Sequence, residues 1–198
     1  MGNKEEIYRA GRKTAYVWTW WNGDALPELS DVEDWHVESS EDIPFVAKLS
    51  NIPVTSVEER YQQGHRPYLA YINQHLVAYG WSAVRNAAFG SPNVNFYVAG
   101  RNLYLYHFVT LLPWRGHGYY PRLLQEIIQR TNHDYERFWI IHQISNQASH
   151  KGIATAGFTL AASVAHLDHP GLGLIAGADE ARTQAAVQLL GLPLVTHK

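Results

Sequence analysis

The chain has 198 residues, 46% of them apolar, with 16 basic against 18 acidic side chains and a formal charge of -2. That length suits one domain with a substantial core, and the near-balanced charge removes any global field for nucleic acid or an anionic membrane. With no cysteine, disulfides, thiolate metal sites and cysteine nucleophiles are excluded.

No run of 18 apolar residues occurs, and the opening MGNKEEIYRAGRK lacks the apolar core of a secretory signal. A soluble, cytoplasmic protein is therefore expected. In chain order, the β-branched and aromatic run Thr14 to Trp21 predicts a strand closed by the turn signal NGD. Asp34 to Ser39 reads as a second short strand. Ser40-Glu41-Asp42 opens a helix that Asn51-Ile52-Pro53 breaks, and Ser56-Val57-Glu58-Glu59 has capping-box spacing for another helix ending at Gly64.

RPYLAYIN and HLVAYGWSAV read as a hairpin turned at Asn73-Gln74, and Asn86 to Asn93 as a loop of small residues. NFYVAG and LYLYHFVTLL form a second expected strand pair about Gly100-Arg101-Asn102. Leu123, Leu124, Ile127 and Ile128 then mark a helix by their spacing. Arg137 to Ile144 reads as a strand, Asn146 to Ala156 as a short helix and Phe158 to His166 as a strand. GLGLIAG is expected as the last strand, before a helix from Asp179 to Leu190.

The segment PWRGHGYYPRLL, residues 113 to 124, joins an expected strand to an expected helix. Amides at a helix start have no partner inside the helix, and its dipole makes that end positive, so the junction attracts phosphate. Gly116 and Gly118 let the backbone approach an anion, and Arg115 adds a fixed charge with several donors. The Walker and dinucleotide-fingerprint spacings are both absent. On this segment alone a tight turn without a ligand is the commoner explanation of two glycines.

Three segments in order then resemble one family. RGHGYY is similar to the R/Q-x-x-G-x-G/A pyrophosphate loop of the GNAT acyltransferase superfamily, with Arg115 and Gly118 at its first two marked positions. Asn146-Gln147-Ala148-Ser149 resembles the family's N-x-x-S, and Ala156-Gly157-Phe158 its closing GF. The resemblance runs from about Trp35 to Ala176. It implies an α+β fold: a central, mostly antiparallel sheet with two splayed parallel strands and flanking helices. Residues 1-33 would be an extension bearing an extra strand, 34-178 the domain, and 179-198 a C-terminal helix and tail packed on it.

The resemblance further implies acetyl-CoA as cosubstrate and direct transfer to the amine of a small-molecule or peptide acceptor. No metal, nucleic acid or membrane is expected, and the aromatic run YVWTWW is either core or the contact of a homodimer. Carried over, Phe108, Val109 and Thr110 give the strand edge for pantetheine. The loop at Arg115, Gly116, His117, Gly118, Tyr119 and Tyr120 holds the diphosphate, and Asn146 and Ser149 meet the coenzyme from the second helix. Tyr120 stands where the family has a small residue, and Pro121 removes a donor, so the helix is expected to begin near Pro121.

Ile153 and Ile141 stand where many members have a tyrosine acid and a glutamate base. His107 and His142 are then candidates for the base, and Tyr119, with Tyr104 and Tyr106, for the proton donor. Each has a structural alternative as packing, the histidines as core groups with satisfied N-H and the tyrosines as an aromatic face. Because Ile153 and Ile141 replace the usual groups, a CoA-binding sensor or scaffold that lacks catalysis is the competing reading.

Overall fold

The computed structural model describes residues 10-90 and 94-195. Its elements are β1 (Ala10–Trp21), β2 (Trp35–Glu38), α1 (Ile43–Ser50), α2 (Val54–Gln62), β3 (Arg66–Ile72), β4 (His75–Ala83), β5 (Arg85–Phe89), β6 (Val94–Val98) and β7 (Asn102–Thr110). A 3-10 turn (Leu112–Trp114) leads to α3 (Tyr119–Thr131), β8 (Arg137–Gln143), α4 (Gln147–Thr155), β9 (Thr159–Leu167), β10 (Leu172–Ala176), α5 (Glu180–Leu190) and β11 (Leu194–Val195). The main sheet has nine strands in the order β11-β10-β9-β1-β8-β7-β4-β3-β2, and β5 and β6 form a separate ribbon. Pairing is antiparallel except at β7-β8 and β10-β11.

The aromatic strand β1 lies inside the sheet, antiparallel to β8 on one edge and to β9 on the other. Trp18 and Trp20 enter the core under α3 and α4, whereas Ala15 and Val17 enter the core under α5. A strand covered on both faces reads as a continuous apolar run, which is why TAYVWTWW shows no alternation. The stripe Leu123, Leu124, Ile127 and Ile128 is fully buried on the first face, against Leu103, Leu105, Phe138 and Ile140. On the other face α1 and α2 set Val46 and Val57 on Trp81, and the ribbon sets Phe96 and Val98 beside α5.

The parallel pair β7-β8 is joined only from Asn102↔Arg137 to Leu105↔Ile140. Beyond that the strands part, although β7 runs on to Thr110 and β8 to Gln143. A bulge in β7 coincides with the parting: Tyr106 faces Trp81 and Val109 faces Tyr79, so His107 and Phe108 share Gly80 as their opposite. His107 takes φ 53, and the Phe108 ring covers Gly80 so closely that a Cβ there would lie 2.2 Å from it. One residue too many on β7 bends that strand out of register and opens a wedge in the sheet.

Several expected elements differ. The second helix starts at Val54 behind Pro53, which puts Ser56 inside it, so the capping-box spacing is not the cap. Asn86 to Asn93 was expected as a loop; residues 85-89 form β5, and 91-93 lie outside the described residues. The partner of β6 is β5, so NFYVAG and LYLYHFVTLL are not a hairpin with each other. GLGLIAG forms β10 but is followed by β11. Asp42, Asn146 and Asp179 cap their helices as side-chain acceptors.

Candidate functional site

The sequence puts α3 at the mouth of the wedge. Gly116 and Gly118 adopt φ 85 and 79, the left-handed conformation that glycine takes without a Cβ penalty, and a Cβ at either would meet nothing within 4 Å. Gly118 is the residue before the first turn, and the helix begins at Tyr119, two residues before the expected Pro121. Pro121 is harmless there because the first four amides of a helix have no intrahelical acceptor. No backbone carbonyl of the loop accepts from the amides of Gly116, His117, Gly118, Tyr119 or Tyr120. Of these residues Gly116, Gly118, Tyr119 and Tyr120 line the cavity of the wedge, at the positive end of the α3 dipole.

Arg115 Nε-H donates to the Thr110 carbonyl at 3.1 Å, which holds the guanidinium over the end of β7. His117 turns back to the Arg115 carbonyl at 2.9 Å and stacks on Tyr119.

A cavity of about 680 Å³ fills the opening between β7, the loop, and the helices α3 and α4. Phe108, Val109, Thr110, Arg115, Gly116, Gly118, Tyr119, Tyr120, Asn146 and Ser149 all line it; of the residues expected to bind the coenzyme, His117 alone does not. Trp114, Ala148, Lys151, Gly152 and Thr155 also line it and were not expected. Ala148, Lys151, Gly152 and Thr155 recur at helical spacing from the Asn146 cap, a signal that extending the N-x-x-S stretch along α4 would have found.

Tyr120, the bulky residue at a small-residue position, is accommodated by Gly152. A Cβ on Gly152 would lie 2.4 Å from the tyrosine ring, and that ring also meets Phe108 at 5.4 Å between centroids. Its hydroxyl is hydrogen-bonded to Ser149, and burial pushes its ionisation well above the ordinary tyrosine range. Ser149 is thereby engaged by the protein, and the Asn146 side-chain oxygen accepts from the Ser149 amide at 3.0 Å. The Asn146 amide group remains as the donor facing the cavity from this corner.

The structure separates the expected catalytic residues. His142 does not reach the cavity: its Nε2 accepts from Trp18 Nε1-H at 3.1 Å and its Nδ1-H donates to the Gln143 carbonyl at 2.8 Å. Burial lowers its pKa, so it is a neutral core histidine with both nitrogens used. Tyr119 lines the cavity at the loop end, stacked between His117 and Trp35. Tyr104 is fully buried, and the Tyr106 hydroxyl is 2.7 Å from His65 Nδ1, whose Nε2-H donates to the Asn86 carbonyl. Ile153 is wholly buried and offers no proton.

His107 stands at the bulge of β7, and like His142 it is not among the residues that line the cavity. Arg60 lies over the faces of Trp81 and Tyr106, and its Nη1 is 3.4 Å from His107 Nδ1. A guanidinium only donates, so Nδ1 is the acceptor and Nε2 carries the hydrogen. Burial first and the Arg60 charge second lower the His107 pKa. The result is a neutral imidazole whose remaining polar atom is a donor, which suits stabilisation of an oxyanion better than removal of a proton.

No protein-family model matches the chain. No curated protein matches it either. Solved structures do. An acetyltransferase of the GNAT family from Colwellia psychrerythraea aligns at TM-score 0.54 and 17% identity, over 76% of this chain and 53% of that one. A functionally unknown conserved protein from Staphylococcus epidermidis aligns at 0.52 and 12%, over 75% and 57%. A GCN5-related N-acetyltransferase from Kribbella flavida aligns at 0.51 and 13%, over 84% and 62%. The chain thus spans less than two thirds of each structure's own length, and identities this low make the likeness one of fold.

Proposed function

On a chain that has the fold of the GNAT acetyltransferases, we propose an acetyl-CoA-dependent N-acetyltransferase that transfers the acetyl group directly to an amine. The observation that carries this reading is the wedge: a free strand edge, unused helix-start amides and a cation converge on one cavity. Past Leu105, β7 is paired with β4 alone, and its other edge can accept an extended, amide-bearing arm as a further strand would. Amides 116-120 and Arg115 suit a diphosphate at the far end, with Lys151 as a second cation on the wall.

In this reading the acceptor nitrogen attacks the thioester carbonyl, a C-N bond forms, the C-S bond breaks, and the thiolate leaves with a proton from the ammonium by way of water. His107 Nε2-H, a donor at the β7 bulge but outside the lining of the cavity, is the group proposed to stabilise the oxyanion of the tetrahedral species. Tyr119 packs the diphosphate end and takes no part in proton transfer. Calorimetry with CoA, paired with thiol release from acetyl-CoA over a panel of amines, tests the proposal. Micromolar binding and amine-dependent thiol release are expected, and no heat or thermal shift at millimolar CoA refutes it.

A CoA-binding module without turnover is the second reading, favoured by the apolar Ile141 and Ile153. Tight binding without acceptor-dependent thiol release selects it.

A further inference from the structure

A second cavity, of about 600 Å³, opens on the opposite face of the sheet. Its walls are β1, the β5-β6 ribbon, the ends of β8 and β9, and the start of β10. Ile141, Phe89 and Leu172 on its wall pack with the α5-side core, whereas Phe108, Tyr119 and Tyr120 of the first cavity pack with the α3-side core. The two adjoin at one place in the chain: Ile144 and Ser145 line the second and Asn146 the first. Beyond Ile140 the β7 side of β8 is unpaired; the first cavity is lined from the β7 side of this gap and the second from the β8 side.

The charge in this cavity is one-sided. Arg12, Lys13 and His166 line it together with His142, and no Asp or Glu does among the described residues. The described residues give Arg12, Lys13 and His166 no ion pair, and His142 is committed to Trp18 and Gln143. The register of β1 against β9 slips on both sides of Lys13, between Ala10 and Lys13 and between Lys13 and Ala15. Bulges re-aim side chains, and Arg12 and Lys13, consecutive at the start of β1, both line the cavity. The lining also includes the apolar Ala15, Phe89, Val94, Ile141 and Leu172.

We propose that this cavity receives the acceptor, and that the acceptor is an amine bearing an anionic group, a carboxylate or a phosphate, beside an apolar portion. The inference rests on the acyltransferase reading above and names the substrate class of that site. Arg12 and Lys13 hold the anion, Phe89 and Ile141 take the apolar part, and the amine points through the wedge toward the thioester. The same field disfavours a protonated amine, so it raises the fraction of free amine where Ile141 supplies no base.

The test uses the full chain with acetyl-CoA and three matched acceptors: phenethylamine, phenylalanine and 1-amino-2-phenylethylphosphonate. Thiol release is expected at least tenfold higher in kcat/KM for one or both anionic amines, and which of them leads identifies the anion. R12Q/K13Q is expected to remove that preference mainly through KM while the Kd for CoA stays unchanged, and R12E/K13E to reverse it. Equal or better turnover of phenethylamine, or a preference that survives R12Q/K13Q, overturns the proposal.

Calorimetry with N-acetylphenylalanine and N-acetylphenethylamine reads the cavity without turnover. If CoA does not bind, the acyltransferase reading has failed. If CoA binds but no amine reacts, turnover has failed. In both cases tighter binding of N-acetylphenylalanine, lost in R12Q/K13Q, upholds the anion site, and equal binding of the two compounds overturns it.

Discussion

Gly118 and Gly100 offer a matched pair for testing whether the α3 start is an anion seat. Both take a left-handed conformation, φ 79 and 60, and at both an added Cβ would meet nothing within 4 Å. An alanine in that conformation costs about 1-2 kcal/mol, partly offset by the stiffer unfolded chain. Gly118→Ala and Gly100→Ala should each lose about 1 kcal/mol, a fall in melting temperature of roughly 2-4 °C for a chain of this size. They differ in what the methyl group occupies. At Gly118 it stands among the free amides of the cavity, and at Gly100 it stands in the turn between β6 and β7. Displacing one charge-assisted contact to a phosphate costs about 1.5-3 kcal/mol, or roughly 10- to 100-fold in affinity. Calorimetry with CoA should show that loss in Gly118→Ala and an unchanged Kd in Gly100→Ala. Equal affinities in the two variants, at equal loss of stability, would refute the seat.

Two other outcomes follow from the fold. Arg182 on α5 clamps the segment after β1: its Nη1 and Nη2 donate to Asp24 at 2.9 and 2.7 Å, its Nε donates to Asp179 at 3.1 Å, and its guanidinium lies over Trp21. Arg182→Ala leaves the half-buried Asp24 carboxylate without its cation and is expected to cost about 2-3 kcal/mol, seen as a drop of roughly 5-10 °C by calorimetric melting; a shift under 1 °C would show the clamp to be ornamental. Burial lowers the pKa of His65, His107 and His142, so below the ordinary histidine value of about 6.5 the unfolded chain takes up protons that the folded chain refuses. Stability should be level above pH 7 and fall from about pH 6.5 toward pH 5, with a shallower fall in His65→Gln; a melting temperature that rises on acidification through this window would contradict the assignment.

The junction was legible because its chemistry is local. Left-handed backbone at Gly116 and Gly118, a cap at Asn146 and an apolar stripe on α3 are each written within a few residues, and all lie where the sequence puts them. What depends on distant partners was not. Nothing in RNAAF announces β5, since Ala87 and Phe89 alternate too briefly, and the strand exists because β6 pairs with it. The aromatic run of β1 announces a strand but not its neighbours, and its place between β8 and β9 comes from pairing across more than a hundred residues. His142 and His107 look alike in sequence. Their difference comes from Trp18 and Arg60, one occupying His142 Nε2 in the core and the other leaving His107 an N-H at the β7 bulge.

The position of β1 also explains why the wedge stays open. Two strands with free facing edges would gain by closing, because each unpaired backbone group forgoes a hydrogen bond. Here β8 is held by β1 along its whole length, from Arg137 opposite Trp21 to Gln143 opposite Ala15, and β7 is held by β4 across the bulge. Closing would require one of those ladders to move. The bulge adds a residue to β7 that no register with β8 absorbs. Tyr120 then fills the notch from the α3 side, its ring against Phe108 of β7 and Gly152 of α4. A small residue at 120 would leave that corner empty. The tyrosine therefore fills the corner between β7 and α4, and the missing side chain of Gly152 gives it room.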